Sequence, residues 1–190
     1  IKILIDTREV LPLKFSHPFI TEIKYQKLNY GDYGIEFEDG FRPKIYFERK
    51  SIPDLFGTLT SGHERFKREI IRSQEDCGKL LVIVEGSLSD VFAGHDRTIV
   101  KGSTVVYQIF TNWVRYGIET VFSTNRKEMS EYITQTFIAI GKRYISNKEE
   151  YALTNSRCAA KETTAPMKPK KPVYSGEPPQ PCVAPSLTAS

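Results

Sequence analysis

Glu48-Arg49-Lys50, followed after three residues by Asp54, sets two carboxylates and a lysine within a short stretch of chain. The β-formers Ile45, Tyr46 and Phe47 lead into it, so it reads as the end of a strand. Alternate side chains of a strand share a face, so Glu48 and Lys50 point one way and Arg49 points the other way with Phe47. Burying ionised groups is costly unless they are paired or hold a ligand. A carboxylate beside an ammonium, with a second carboxylate from a neighbouring turn, suits a cation-and-water site. Asp32 is the candidate for that second carboxylate, because it lies in the turn-rich run Asn29 to Gly34 and a hairpin then returns the chain to Glu48. Hard oxygen ligands of this kind fit Mg²⁺ or Mn²⁺. Such an ion can bind a phosphate oxygen and lower the pKa of an attacking water. Lys50 would orient that water or offset charge on a pentacovalent phosphorus. Plainer readings stand beside this one. Asp54 could be the carboxylate of a helix cap begun by Ser51, Glu48 to Lys50 a solvated strand end, Asp32 a turn residue and Asp6 an ordinary strand-end acid.

The elements that must position these residues are legible as patterns. Ile1 to Ile5 is a short apolar run and a predicted buried strand, followed by Asp6-Thr7-Arg8-Glu9. TEIKYQKL alternates as a half-exposed strand does. IEFEDGFRPKIYFERK reads as a hairpin with Asp39-Gly40 at its tip. A helix should begin at Ser51, and a second should cover His63 to Gln74, with Phe66 and Ile70 on its apolar side. KLLVIVEG is a buried strand, and residues 86 to 102 read as a linker or small lid. Ser103 to Arg115 is a predicted helix ended by Gly117, IETVF a further strand, and Arg126 to Ile145 a long amphipathic helix. Helices interleaved with strands predict an α/β sandwich around a mixed sheet. Residues 1–146 form the ordered domain, and 147–190, rich in proline, lysine and serine, read as a disordered tail.

Composition narrows the class. The chain has 190 residues and a formal charge of +4, which suits a polyanionic partner. Its three cysteines, Cys77, Cys158 and Cys182, have no zinc spacing and form no disulfide framework, so a reducing intracellular setting is expected. No run approaches a membrane span, and no membrane partner is expected. The first strand follows no signal peptide, and the missing initiator methionine reads as a trimmed or fragmentary chain. There is no GK[ST], so the glycines make no phosphate-cradling loop.

Taken together, Gly31-Asp32, a spacer of fifteen residues, Glu48-Arg49-Lys50, three residues and Asp54 resemble the GD-(spacer)-ERK-xxx-D signature of the XPF family of structure-specific endonucleases. Ile5 to Glu9 is similar to that family's first strand and D-x-R-E step, Leu81 to Gly86 to its central strand, and VVYQIFTNWVRYGIETVFST to its later helix–strand segment. The resemblance implies a restriction-endonuclease-like α/β fold, a mixed central sheet flanked by helices. It implies Mg²⁺- or Mn²⁺-dependent cutting of flapped, forked or crossover DNA in repair or recombination, near duplex/single-strand junctions. It makes Asp32, Glu48, Arg49, Lys50 and Asp54 the catalytic set and Asp32, Glu48 and Asp54 the metal ligands, with Asp6 assisting. Arg8, Arg49, Arg65 and Lys67 are the expected DNA contacts. The setting would be nuclear in a eukaryote, and cytoplasmic or nucleoid in a prokaryote or virus. Family members can associate through the nuclease domain as homodimers or heterodimers, which makes Trp113, Val114 and Tyr116 contact candidates; core packing is the plainer reading of that stripe. The helix-hairpin-helix module that usually follows the nuclease domain in the family is not visible. Two other readings remain: a non-catalytic DNA-binding or partner module of the same fold, whose carboxylates would sit in salt bridges with Arg8 or Arg49, and a generic PD-(D/E)xK nuclease.

Overall fold

The computed structural model describes residues 1–96 and 98–147. The chain runs β1 (Lys2–Asp6), β2 (Glu22–Gln26), β3 (Tyr33–Glu36), β4 (Ile45–Ser51), α1 (Ile52–Leu59), α2 (His63–Glu75), β5 (Lys79–Glu85), α3 (Leu88–Ala93), α4 (Gly102–Tyr116), β6 (Glu119–Ser123) and α5 (Arg126–Ser146). The segment expected as a tail, with Lys168, Lys170 and Lys171, lies outside the described residues beyond Asn147.

The strands form one six-stranded mixed sheet in the order β2-β1-β3-β4-β5-β6. β3 runs antiparallel to both its neighbours, β1 and β4, whereas β1 with β2, β4 with β5 and β5 with β6 are parallel. β4 pairs with β5 along its whole length, from Ile45 opposite Lys79 to Ser51 opposite Glu85. Parallel strands need crossovers; α1 and α2 supply the one from β4 to β5 and α3 and α4 the one from β5 to β6, whereas β1 reaches β2 through a helix-free connection over residues 7–21. Period-two alternation splits the sheet's apolar residues between two layers. Val82 and Val84 pack under Leu55, Phe56, Phe66, Ile70 and Ile109 of the layer containing α1, α2 and α4. Ile3, Ile5, Phe47 and Ile83 pack under Met129, Ile133 and Phe137 of α5. Phe47 is thus buried against α5, and Glu48 and Lys50 emerge on the opposite side, toward α1 and α2.

Two expectations change. The 86–102 stretch contains a short helix, α3, announced by a capping box in which Ser87 and Asp90 each bind the other's backbone N–H. The α4 stripe is not core. Val105, Val106 and Ile109 are buried, but Tyr107, Phe110, Trp113 and Val114 are between 54% and 75% exposed; of the three contact candidates only Tyr116 packs against the core. Helical spacing marks both rows as apolar, and only one can face the sheet.

Gly102 lets α4 seat on α3. A Cβ there would lie 2.0 Å from the Val91 carbonyl oxygen and 2.7 Å from the Phe92 Cα, both backbone atoms that cannot yield cheaply. Gly102→Ala is therefore expected to lower stability by about 1–3 kcal/mol, as overpacking does, read from urea denaturation. An unchanged midpoint would show that the two helices separate without cost.

Candidate active site

The end of β4 forms the floor of a cleft of about 750 Å³. One bank is Arg8 to Leu11, after β1; the other is α1, the loop that follows it and the first turn of α2, with Asp54, Ser61 and Arg65. Asp32, Glu48, Arg49 and Lys50 line the floor.

Asp32 is placed by backbone bonds rather than by a strand of its own. Its N–H donates to the Phe47 carbonyl at 2.7 Å, and its carbonyl accepts from the Asp6 N–H at 2.8 Å. Gly31 makes this turn feasible, with φ +71° and Tyr46 Cβ only 2.8 Å from where a side chain would begin. The Asp32 carboxylate then accepts the Arg49 N–H at 2.7 Å, which lays it along β4 beside Glu48. Burial pushes the Asp32 carboxyl well above the ordinary carboxylate range, against the Arg49 N–H and the charge of Lys50, while Glu9 and Glu69 add to the rise. Glu48 is more deeply buried. Burial first, and then the charge of Asp32, raises its affinity for a proton, opposed by Lys50. The Lys50 ammonium bonds directly to Glu48. Burial works against its charge, but Glu48, Asp32 and Glu69 more than compensate, so it stays protonated.

This donor set fits a divalent ion. Among the described residues no three His, Cys, Asp or Glu side chains converge as a preformed cage. Mg²⁺ does not need one, since it keeps several waters and binds through one or two carboxylates plus a substrate phosphate. Two oxygen donors that repel each other at the floor of an open cleft meet that requirement.

A family model described as the ERCC4 domain matches residues 5–136. The chain belongs to the ERCC4-domain family, a family of nucleases. Two solved structures are similar: XPF from Aeropyrum pernix in complex with DNA, at 20% identity and TM-score 0.55, and XPF from Aeropyrum pernix, at 18% and 0.54. The alignments cover 75% and 79% of this chain, and the chain spans 66% and 69% of the length of those two. They share the restriction-endonuclease-like fold, which this ERCC4 domain adopts. A comparison with curated protein sequences found no match.

The other candidate residues of this ERCC4 domain fall in different places. Asp54 stands on the cleft wall in the first turn of α1, where its N–H donates to the Ser51 hydroxyl at 3.2 Å and its carboxylate accepts from that hydroxyl at 2.7 Å. Arg8 and Arg65 are exposed at the rim, as phosphate contacts would be. Arg49 reaches inward to Glu9 at 3.2 Å and Glu85 at 3.6 Å, so its guanidinium braces the bank and β5. Lys67 is half-buried on α2 and does not line the cleft. Asp6, expected to assist the metal, is outside the cleft and 1% exposed. Its oxygens accept from Arg8 N, Nε and Nη2 at 2.7, 2.7 and 2.9 Å and from Leu28 N at 2.6 Å. It anchors the root of the bank.

Two residues near the floor were not singled out from the sequence for a role there. Glu9 stands in the D-x-R-E step, and its partnership with Arg49 spans 40 positions. Glu69 of α2 accepts the Gly31 N–H at 3.0 Å. Its one local signal is its place four residues after Arg65, on the same helix face.

Proposed function

We propose that this ERCC4 domain is a divalent-metal-dependent endonuclease that hydrolyses DNA phosphodiesters near junctions of duplex and single strand, in repair or recombination. The observation that carries the reading is the convergence of Asp32, Glu48 and Lys50 on the floor of a cleft whose rim presents Arg8 and Arg65. Asp32 and Glu48 are the residues that would hold Mg²⁺ or Mn²⁺, with Asp54 within the same cleft. A bound divalent ion supplies Lewis acidity to the phosphate and acidifies the attacking water. Lys50 offsets negative charge at phosphorus, from a position fixed by Glu48. Arg8 and Arg65 hold the backbone on either bank; phosphate contacts carry no sequence information, so specificity should follow DNA shape. XPF from Aeropyrum pernix, similar in fold, was solved with DNA, which supports this choice of polymer. The non-catalytic reading called for carboxylates tied up by Arg8 or Arg49 side chains. That describes Asp6 and Glu9, whereas Asp32 meets only the Arg49 backbone and Glu48 meets Lys50. The test is a labelled flap or fork incubated with Mg²⁺ or Mn²⁺. Metal-dependent incision near the branch is expected; uncut DNA, or cutting of plain duplex at a fixed sequence, would refute the proposal.

The exposed row Tyr107, Phe110, Trp113 and Val114 is the face proposed for association with a second copy. The 190-residue chain measured by light scattering should be a dimer, and Phe110→Glu with Trp113→Glu should make it monomeric while the melting temperature holds. A wild-type monomer at tens of micromolar would remove this proposal.

A further inference from the structure

We propose that Glu69 is a positioning residue of the cleft: it pins the turn that carries Asp32, and its charge strengthens the hold of the floor on a divalent ion. This rests on the nuclease reading above.

Helix α2 begins beside the cleft and sends Arg65 to the rim. One turn later on the same face, Glu69 reaches back beneath that bank to the Gly31 N–H, 3.0 Å away. Gly31 cannot carry a side chain that would pack and hold the turn, because Tyr46 Cβ and the Phe47 carbonyl oxygen crowd the space at 2.8 and 3.2 Å. The bond from Glu69 is therefore a tether from the helical layer to the residue next to Asp32. A loss of this tether frees the turn on that side, and Asp32 then relies on its backbone bonds to Phe47 and from Asp6 and on the Arg49 N–H at its carboxylate.

A neutral acceptor would serve as a tether, yet the residue is a carboxylate, and its bond from the Gly31 N–H seats that charge beside the residue next to Asp32. When ionised, Asp32, Glu48 and Glu69 together face one ammonium, that of Lys50. The excess is two negative charges, the charge of one divalent cation. Glu9 and Arg49, paired with each other, add nothing to this net count, and Arg8 is held by Asp6. A third carboxylate near two buried ones is unfavourable without a compensating cation. Groups just outside a metal's own ligands commonly set its affinity.

The two roles separate by substitution. Glu69→Gln keeps an oxygen for Gly31 and removes the charge; Glu69→Ala removes both. Binding of Mn²⁺ alone to the 190-residue chain is measured by calorimetry, and turnover of a labelled flap at saturating Mn²⁺ is measured beside it. Glu69→Gln should weaken Mn²⁺ binding by roughly tenfold with turnover at saturation near wild type. Glu69→Ala should weaken Mn²⁺ binding at least as much and also lower saturated turnover. Melting temperatures identify a variant that has simply lost its fold. Wild-type Mn²⁺ affinity in Glu69→Gln would overturn the proposal, as would failure of the wild-type chain to bind Mn²⁺, or saturated turnover in Glu69→Ala equal to that of Glu69→Gln. The nuclease reading is judged separately: wild-type protein that binds Mn²⁺ and cuts no branched DNA refutes that reading, while the effect of Glu69 on Mn²⁺ affinity is still measured.

Discussion

Asp32→Asn should reduce Mn²⁺-dependent cleavage of a flap or fork by roughly a hundredfold or more while leaving the fold intact. The amide is almost the size of the carboxylate and still offers an oxygen to the Arg49 N–H. The backbone bonds to Phe47 and from Asp6 do not involve the side chain, so the turn keeps its place. What disappears is one of the two carboxylates at the floor, and with it their mutual repulsion, which a cation would relieve. Glu48 would lose the neighbouring charge that raises its proton affinity, and Lys50 would face one acid fewer. Without Asp32 the loss should appear both as weaker Mn²⁺ binding and as slower turnover at saturation. Single-turnover rates on a labelled fork, with a thermal melt as the control for folding, decide the matter. Cutting at the wild-type rate would remove Asp32 from the site.

Asp6→Ala should act in the opposite sense, with a large loss of stability and little change in the chemistry. Asp6 is buried and accepts a backbone bond from Leu28 and three bonds from Arg8. Alanine would leave the Leu28 N–H unsatisfied and the guanidinium with its bond to the Leu28 carbonyl but without its charged partner. A loss of about 2–4 kcal/mol is expected, discounted because Arg8 is largely exposed. For a chain of this size that corresponds to a fall of about 5–15 °C in melting temperature. Below that temperature Mn²⁺ binding should match wild type. If Mn²⁺ binding is lost at an unchanged melting temperature, Asp6 is a metal ligand after all. The pH dependence has a definite sign. Burial alone would raise the Asp6 carboxyl, but its bonds from Arg8 and Leu28 prevail and hold it below the ordinary range. Its contribution is therefore complete above the ordinary carboxylate range and is lost as pH falls through the lowered value in the fold.

Local periodicity carried much of this architecture. The β4 alternation correctly separated Glu48 and Lys50 from Arg49, because strand geometry fixes facing over a distance of two residues. Phe66 and Ile70 marked the buried side of α2 for the same kind of reason. Asp6 shows where such reasoning stops. As a strand-end acid beside the D-x-R-E step it could equally have been a ligand or an anchor, and Leu28, 22 positions away, makes it an anchor. Arg49 is similar: its facing was legible, but Glu9 and Glu85 come to it from other strands' ends. In α4 the Phe110 and Trp113 row matches the helical period as well as the Val106 and Ile109 row does. Only the position of the sheet tells which of them is covered. Glu69 was one charge among many on a polar helix until the fold brought Gly31 to it.

The two banks of the cleft belong to opposite sides of the sheet. Arg126, the first residue of α5, donates to the Leu11 and Pro12 carbonyls at 2.6 and 3.2 Å and so grips the Arg8–Leu11 bank. The facing bank is α1 and its loop, seated on the other layer. The spacing of the jaws is thus set through the thickness of the whole sandwich rather than by a local hinge. A small tilt of α5 would be transmitted as a change in jaw width, while the acid and the lysine on β4 keep their alignment.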